Sequence, residues 1–313
     1  MKKILILTFA FLLVLASCAT EGPTTSKDKA FIGGTIGLLI DFVDGEPPVD
    51  VTDAGESPFS VSVKIENQGE TPIAKEDISL SLKGFDAPSF GTTSAALTDL
   101  NPLEDILANE INPDTGDAIE SPVVYFTFPN LNFEDILAGN HAFPFQVDLC
   151  YEYATRATST VCIKENLIRP TDDICAVVGP KQIQNSGAPI QIADFQQYSA
   201  GQNAIAFTFR VKNMGNGDVY NKDSMCEGEG IANKEIVTLT VDTSIPGLTC
   251  SGVPETTAGV FIGDIKLSTG EKQVRCTQQL SDADKTDKIM IVDLVVEYAY
   301  HESTSTSVLV KHI

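Results

Sequence analysis

Apolar and polar residues alternate with a period of two along much of this chain. The clearest stretch is residues 147–164, VDLCYEYATRATSTVCIK. Val147, Leu149, Tyr151 and Tyr153 alternate with Asp148, Cys150 and Glu152, and Val161 and Ile163 alternate with Thr160, Cys162 and Lys164. A period of two places one set on a core face and the other on an outer face. The stretch predicts a β-hairpin in which Cys150 lies opposite Cys162, Tyr151 opposite Val161, Leu149 opposite Ile163 and Asp148 opposite Lys164. It returns at residues 292–311 as VDLVVEYAYHESTSTSVLVK. There the same register, with a longer turn, pairs Val296 with Val308, Leu294 with Val310 and Asp293 with Lys311, and puts Val295 and Leu309 at the cysteine positions. The recurrence predicts two copies of one β domain in tandem.

Strand-like alternation also marks 38–43, 59–66, 78–85 and 122–128 in the first copy. In the second it marks 190–195, 207–215, 235–241, 260–267 and 272–278. IQIADF in the second copy echoes LLIDF in the first, and FTFRVKNMG echoes VSVKIENQG. Residues 92–116 form a long irregular insert, with a helical turn expected within 103–109. Short strands, frequent turns and no long amphipathic helix predict an all-β chain of two tandem immunoglobulin-like β-sandwich domains. The domains are expected over 31–169 and 170–313, a repeat of about 145 residues.

The first residues set the address. Lys2 and Lys3 precede an apolar run over 4–15 that is short for a membrane span. The run ends in Leu15-Ala16-Ser17-Cys18, which resembles the lipobox of prokaryotic lipoproteins. That resemblance implies a signal peptide over 1–17 and a lipid on Cys18, with 18–30 as a polar tether. Of the 7 cysteines, lipidation of one leaves an even number for disulfides in an oxidising compartment. The hairpin register pairs Cys150 with Cys162. The other four all follow the domain boundary, and are expected to join Cys250 to Cys276 and Cys175 to Cys226.

The 313 residues carry a formal net charge of −22, which becomes −24 when Lys2 and Lys3 are removed. Such a surface disfavours nucleic acid and anionic membranes as partners and could attract cations. Calcium is the cofactor these acidic turns come nearest to suiting, at Asp114 and Asp117 or at Asp282, Asp284 and Asp287. Neither set has the EF-hand spacing, and both also read as polar turns. His141, His301 and His312 stand in no zinc-type spacing, and no GxSxG elbow occurs. The carboxylate pairs Glu104-Asp105 and Glu134-Asp135 read as solvated turns whose neighbouring Ile and Leu dock on the sandwich. With 0 Trp and 7 Tyr, aromatic platforms for sugars are few.

The strand-plus-turn signatures VSVKIENQG and FTFRVKNMG resemble immunoglobulin-like modules of prokaryotic surface proteins, particularly the CARDB type. With the lipobox, the whole resembles archaeal envelope lipoproteins. The resemblance implies adhesion or scaffolding and brings no catalytic residues. The expectation is therefore a non-enzymatic protein of the cell envelope, held to the membrane by its lipid and serving adhesion, scaffolding or surface-complex assembly with another envelope protein. The alternative is an envelope lipoprotein that binds a solute, a glycan or calcium.

Overall fold

The computed structural model describes residues 29–169, 174–226, 232–251, 255–257 and 259–313. The expected signal peptide, Cys18 and most of the tether lie outside these residues, as does 170–173 at the expected boundary. The described chain is all-β. The first half contributes β1 (Leu38–Phe42), β2 (Asp50–Thr52), β3 (Phe59–Asn67), β4 (Ile78–Lys83), β5 (Glu110–Ile111), β6 (Ala118–Ile119), β7 (Val124–Leu131) and β8 (His141–Ile163). There follow β9 (Gly179–Pro180), β10 (Ile183–Asn185), β11 (Ile190–Ser199), β12 (Ala204–Asn213), β13 (Asp218–Tyr220) and β14 (Ile236–Asp242). The chain ends with β15 (Leu248–Cys250), β16 (Glu255–Thr257), β17 (Val260–Lys266), β18 (Glu271–Gln279) and β19 (Lys288–Lys311). Residues 103–109 are not helical: Ile106 forms a bridge with Ile73 and is fully buried.

The two predicted hairpins do not form. Each is a single strand, β8 of 23 residues and β19 of 24, and the partner of each is the other. They run antiparallel without a register shift from Ile163 opposite Lys288 to His141 opposite Val310. The physical reason lies in residues 154–160, ATRATST, which contain no Gly, Pro, Asn or Asp to set a turn. The odd-numbered residues of β8 accordingly stay on the core side from Phe145 through Tyr151, Thr155 and Val161 to Ile163. Without a turn the two copies align with no gap: Tyr151, Tyr153, Val161 and Lys164 match Tyr298, Tyr300, Val308 and Lys311, 147 positions apart (151 to 298, 164 to 311).

These long strands are the middle of one sheet that runs through both halves. The outer edge of β8 carries β4 along 146–151 and β10 along 157–159. The outer edge of β19 carries β14 along 293–297, β13 along 299–301 and, in parallel, β2 along 309–311. A smaller sheet, β1-β3-β7, packs on the first half, and a second, β15-β18-β12-β11-β9, packs on the other. Val61, Val63 and Ile65 are buried together with Leu80, Val147 and Leu149, and Phe207, Phe209 and Val211 together with Leu239, Leu294 and Val296, all within one continuous hydrophobic cluster.

Each long strand belongs to both sandwiches. The Thr155 hydroxyl donates to Ile190 O at 2.6 Å, and the Gln197 amide bonds both backbone groups of Cys162 at 2.7 Å, so the end of β8 is held by the second half. Conversely, Val308 and Val310 near the end of β19 are fully buried, Asp53 N donates to Lys311 O at 3.0 Å, and His312 Nδ1 lies 2.7 Å from the Asp53 carboxylate. The halves exchange the second parts of their last strands.

Among the described residues the cysteines pair as Cys150–Cys226, Cys162–Cys175 and Cys250–Cys276. The expected Cys150–Cys162 and Cys175–Cys226 bridges are thereby corrected. Cys150 and Cys162 sit twelve residues apart on one extended strand, about 40 Å at 3.3 Å per residue, beyond the reach of any disulfide. Both point to the outer face, where a loop from the second half and the connection after β8 reach them. Three disulfides belong with an oxidising, extracellular environment.

Candidate functional site: the strand crossing and its two clefts

The midpoint of the β8–β19 pairing is a quartet of tyrosines, with Tyr151 opposite Tyr300 and Tyr153 opposite Tyr298 on one face. Each hydroxyl reaches up to the covering sheets. Leu38 N donates to the Tyr151 hydroxyl at 3.2 Å, and Ile190 N to that of Tyr298 at 3.4 Å. Tyr153 donates to Asn67 Oδ1 at 3.0 Å, and Tyr300 to Asn213 Oδ1 at 3.2 Å. The same two asparagine oxygens accept from Gly69 N and Gly215 N.

This explains the shared NxG ending of VSVKIENQG and FTFRVKNMG. The asparagine closes its own turn and holds the tyrosine, and the glycine is required because a Cβ there would overlap the tyrosine hydroxyl. Burial raises all four phenols, that of Tyr300 to about 12, so the quartet stays neutral over the physiological range.

One cleft, of about 440 Å³, opens on the outer face beside the crossing and is lined by Ser79, Lys83, Asp148, His301 and the Cys150–Cys226 bridge. Asp148, expected from the hairpin to face Lys164, instead meets Lys83 Nζ at 3.1 Å, Gln146 Nε2 at 2.6 Å and His301 Nε2 at 3.9 Å. Burial pushes the Asp148 carboxyl up, but the bonds from His301, Gln146 and Lys83 outweigh it and hold the group well below the usual carboxylate range. Such a carboxylate is a spent acceptor and a poor base. Among the described residues no serine, threonine or cysteine side chain is hydrogen-bonded to a histidine.

The second cleft, of about 660 Å³, lies on the other side of His301 between β1, the turn 214–218 and residues 301–304. Its one carboxylate on the core side of β19 is Glu302. Burial raises that carboxyl to about 7, opposed only in part by the charge of His301 and the Tyr151 hydroxyl. No motif in the sequence singles out Glu302, although it is an acid at a core-facing position in the alternation that runs from Val292 to Val310.

A raised carboxyl favours the folded state while protonated. Its contribution is complete below about pH 4.5 and lost as pH rises through 7. Glu302→Gln is therefore expected to gain on the order of 2–3 kcal/mol over wild type at pH 8 and little at pH 4.5. Denaturant unfolding at the two values checks this; a gain of the same size at both would remove the burial argument.

The remaining candidate residues stand apart from the clefts. Asp114 and Asp117 lie in the tip between β5 and β6, where Asn112 Oδ1 accepts from Asp114 N and Thr115 N. Asp282 pairs with Lys285 at 2.7 Å, Asp284 accepts from the Ser281 hydroxyl at 2.5 Å, and Asp287 meets Lys164 at 3.3 Å. Among the described residues no three His, Cys, Asp or Glu side chains converge as a metal site. His141 packs edge-on against Phe143. Beside the carboxylate pairs, Ile106 and Leu137 dock on the core, whereas Leu103 and Ile136 stay exposed.

No protein-family model matches the chain, and no curated protein matches it. Among solved structures, the serine-rich repeat adhesion glycoprotein Srr1 of Streptococcus agalactiae aligns over 90% of this chain and 98% of its own, at 7% identity and a TM-score of 0.19. The collagen binding domain of the Erysipelothrix rhusiopathiae surface protein RspB aligns over 88% and 97%, at 8% identity and a TM-score of 0.13. Scores of this size carry no argument. The class rests on the chain itself: an all-β protein of two sandwiches fused through one sheet.

Proposed function

We propose that this chain is a non-enzymatic envelope protein, anchored by a lipid on Cys18, whose two immunoglobulin-like sandwiches form one rigid body for adhesion or for assembly of a surface complex. The observation that carries the reading is the exchange of β8 and β19, which couples the halves through unbroken backbone pairing and commits the polar groups at the crossing to structure. A stiff body whose tyrosines and Asp148 are tied into the crossing is suited to presenting surfaces. The charge of −22 fits a soluble extracytoplasmic body whose partner is another envelope protein.

The anchor is tested by detergent phase partition. The mature protein is expected in the detergent phase, and Cys18→Ser in the aqueous phase or unprocessed. A mature N-terminus at Thr20 without lipid mass would end the anchor reading. The wider role is tested by crosslinking in intact cells. A defined envelope partner is expected with wild type and equally with an Asp148→Asn/His301→Gln variant. Turnover of a small substrate by wild type, lost in that variant, would sink it.

A further inference from the structure

The lane of the large sheet beside β19 has a gap. Asp218 of β13 is opposite His301, and the lane resumes where Leu309 N donates to Val49 O at 3.0 Å. Among the described residues no strand pairs with 302–308 on that side. The equivalent lane beside β8 is filled: β10 pairs with 157–159, which match 304–306 at the repeat spacing of 147 (157 to 304). The molecule thus holds an occupied copy of the site and an open one.

The open edge can accept a strand. Leu309 N and Lys311 O both bond toward β2, so the odd-numbered residues direct their backbone groups into this lane. Continuing the alternation, Ser303, Ser305 and Ser307 present free N–H and C=O groups to the gap. Exposed edges are normally guarded by lysine, proline or a bulge. This one reads Ser303-Thr304-Ser305-Thr306-Ser307, and its pairing with β8 continues without a bulge. The gap spans about 23 Å, room for roughly seven extended residues.

The second cleft opens onto the gap at its 302–304 end and supplies side-chain selectivity. Ile36, Leu39 and Met214 line it as exposed apolar groups; Asp218 there is already paired with Lys234 at 2.8 Å, which leaves Glu302 as the acid open to a basic partner. The half-buried Glu302 has no lysine or arginine ion-pair partner among the described residues. We propose that this edge binds an extended peptide segment of a partner protein as an added strand, with apolar residues against Ile36 and Met214 and a Lys or Arg meeting Glu302. The proposal rests on the reading of the chain as a binding protein and names its site and the chemistry of its partner.

The test uses the full mature chain and a fluorescein-labelled nonapeptide of alternating Thr and Val with a central Lys, beside matched peptides with Ala or Glu at the centre. Anisotropy is expected to rank them Lys, Ala, Glu, with at least about tenfold between the first and last. Glu302→Gln should remove that ranking. Ser305→Pro deletes one N–H in the gap without touching the pairing to β8, and should abolish binding with the unfolding midpoint unchanged. If that variant does not fold, the Lys peptide N-methylated at alternate backbone nitrogens replaces it and should fail to bind wild type.

Binding that survives Ser305→Pro or N-methylation overturns the strand-addition site. So does equal affinity for the Lys and Glu peptides. Dimerisation of wild type lost in Ser305→Pro would assign the edge to a second copy. A tenfold gain in peptide affinity on removing residues 19–28 would assign it to the chain's own tether; either overturns the proposal. Loss of peptide binding with the crosslinked envelope complex intact removes this site alone. Absence of that complex with peptide binding intact removes the scaffold role alone.

Discussion

Ending the chain after Tyr300 is expected to melt the first half of the molecule and spare much of the second. The removed residues supply the ladder from His301 to Val310, opposite 141–150 of β8, and the parallel partner of β2. They also carry Val308 and Val310, both fully buried, worth about 3–6 kcal/mol together in lost burial alone. Added to the lost pairing, that is comparable with the whole stability of an ordinary domain, about 5–15 kcal/mol. Native-state hydrogen exchange reads the outcome: protection should fall in β3 and β7 and persist in β12 and β18. If the last strand instead served only the half that encodes it, the loss would appear in β12 and β18, and the exchange of strand ends would be refuted.

The Cys150–Cys226 bridge should be the most stabilising of the three. Its separation is 76 residues, against 13 for Cys162–Cys175 and 26 for Cys250–Cys276. Loop-closure entropy then gives about 4.5 kcal/mol for the first and about 3 kcal/mol for the second. The first also joins β8 to a loop of the second half, so its loss loosens the contact between halves. Replacing Cys150 and Cys226 with serine should lower the denaturant midpoint clearly more than replacing Cys162 and Cys175. Non-reducing peptide mapping supplies the connectivity; a fragment linking Cys150 to Cys162 would contradict the single long strand.

Most strands are legible from alternation, because a half-buried sheet imposes a period of two wherever it occurs. β3, β4, β12 and β17 begin or end within a few residues of the expected positions. The long strands are not legible in that way. Two short runs in register with one another and one long run in register with a distant copy present the same faces. What separates them is the filling between: Thr155, Ala157 and Ser159 keep the odd-numbered side facing inward, and nothing there can turn the chain.

The misplaced turn carries two errors with it. It brings Cys150 to Cys162, and it gives Asp148 to Lys164, whereas the long strand leaves them to Cys226 and Lys83. The tyrosine quartet is visible as a core pattern, but its hydroxyl partners lie on other strands and only the fold brings them together. Glu302 is within reach of sequence reasoning, since an acid on the inward side of a strand is a local conflict that usually marks a site.

The exchange of strand ends carries a statement about ancestry. Halves related by an approximate two-fold, each lending the end of its last strand to the other, are what a strand-swapped homodimer becomes when its two chains are joined end to end. A single-repeat ancestor with so long a final strand would have been obliged to pair, because half of that strand had no core of its own to enter. Joining the two copies in one chain makes an association that would otherwise depend on concentration one that is always satisfied. It also lets the two copies differ: one lane holds a short strand while the other is open.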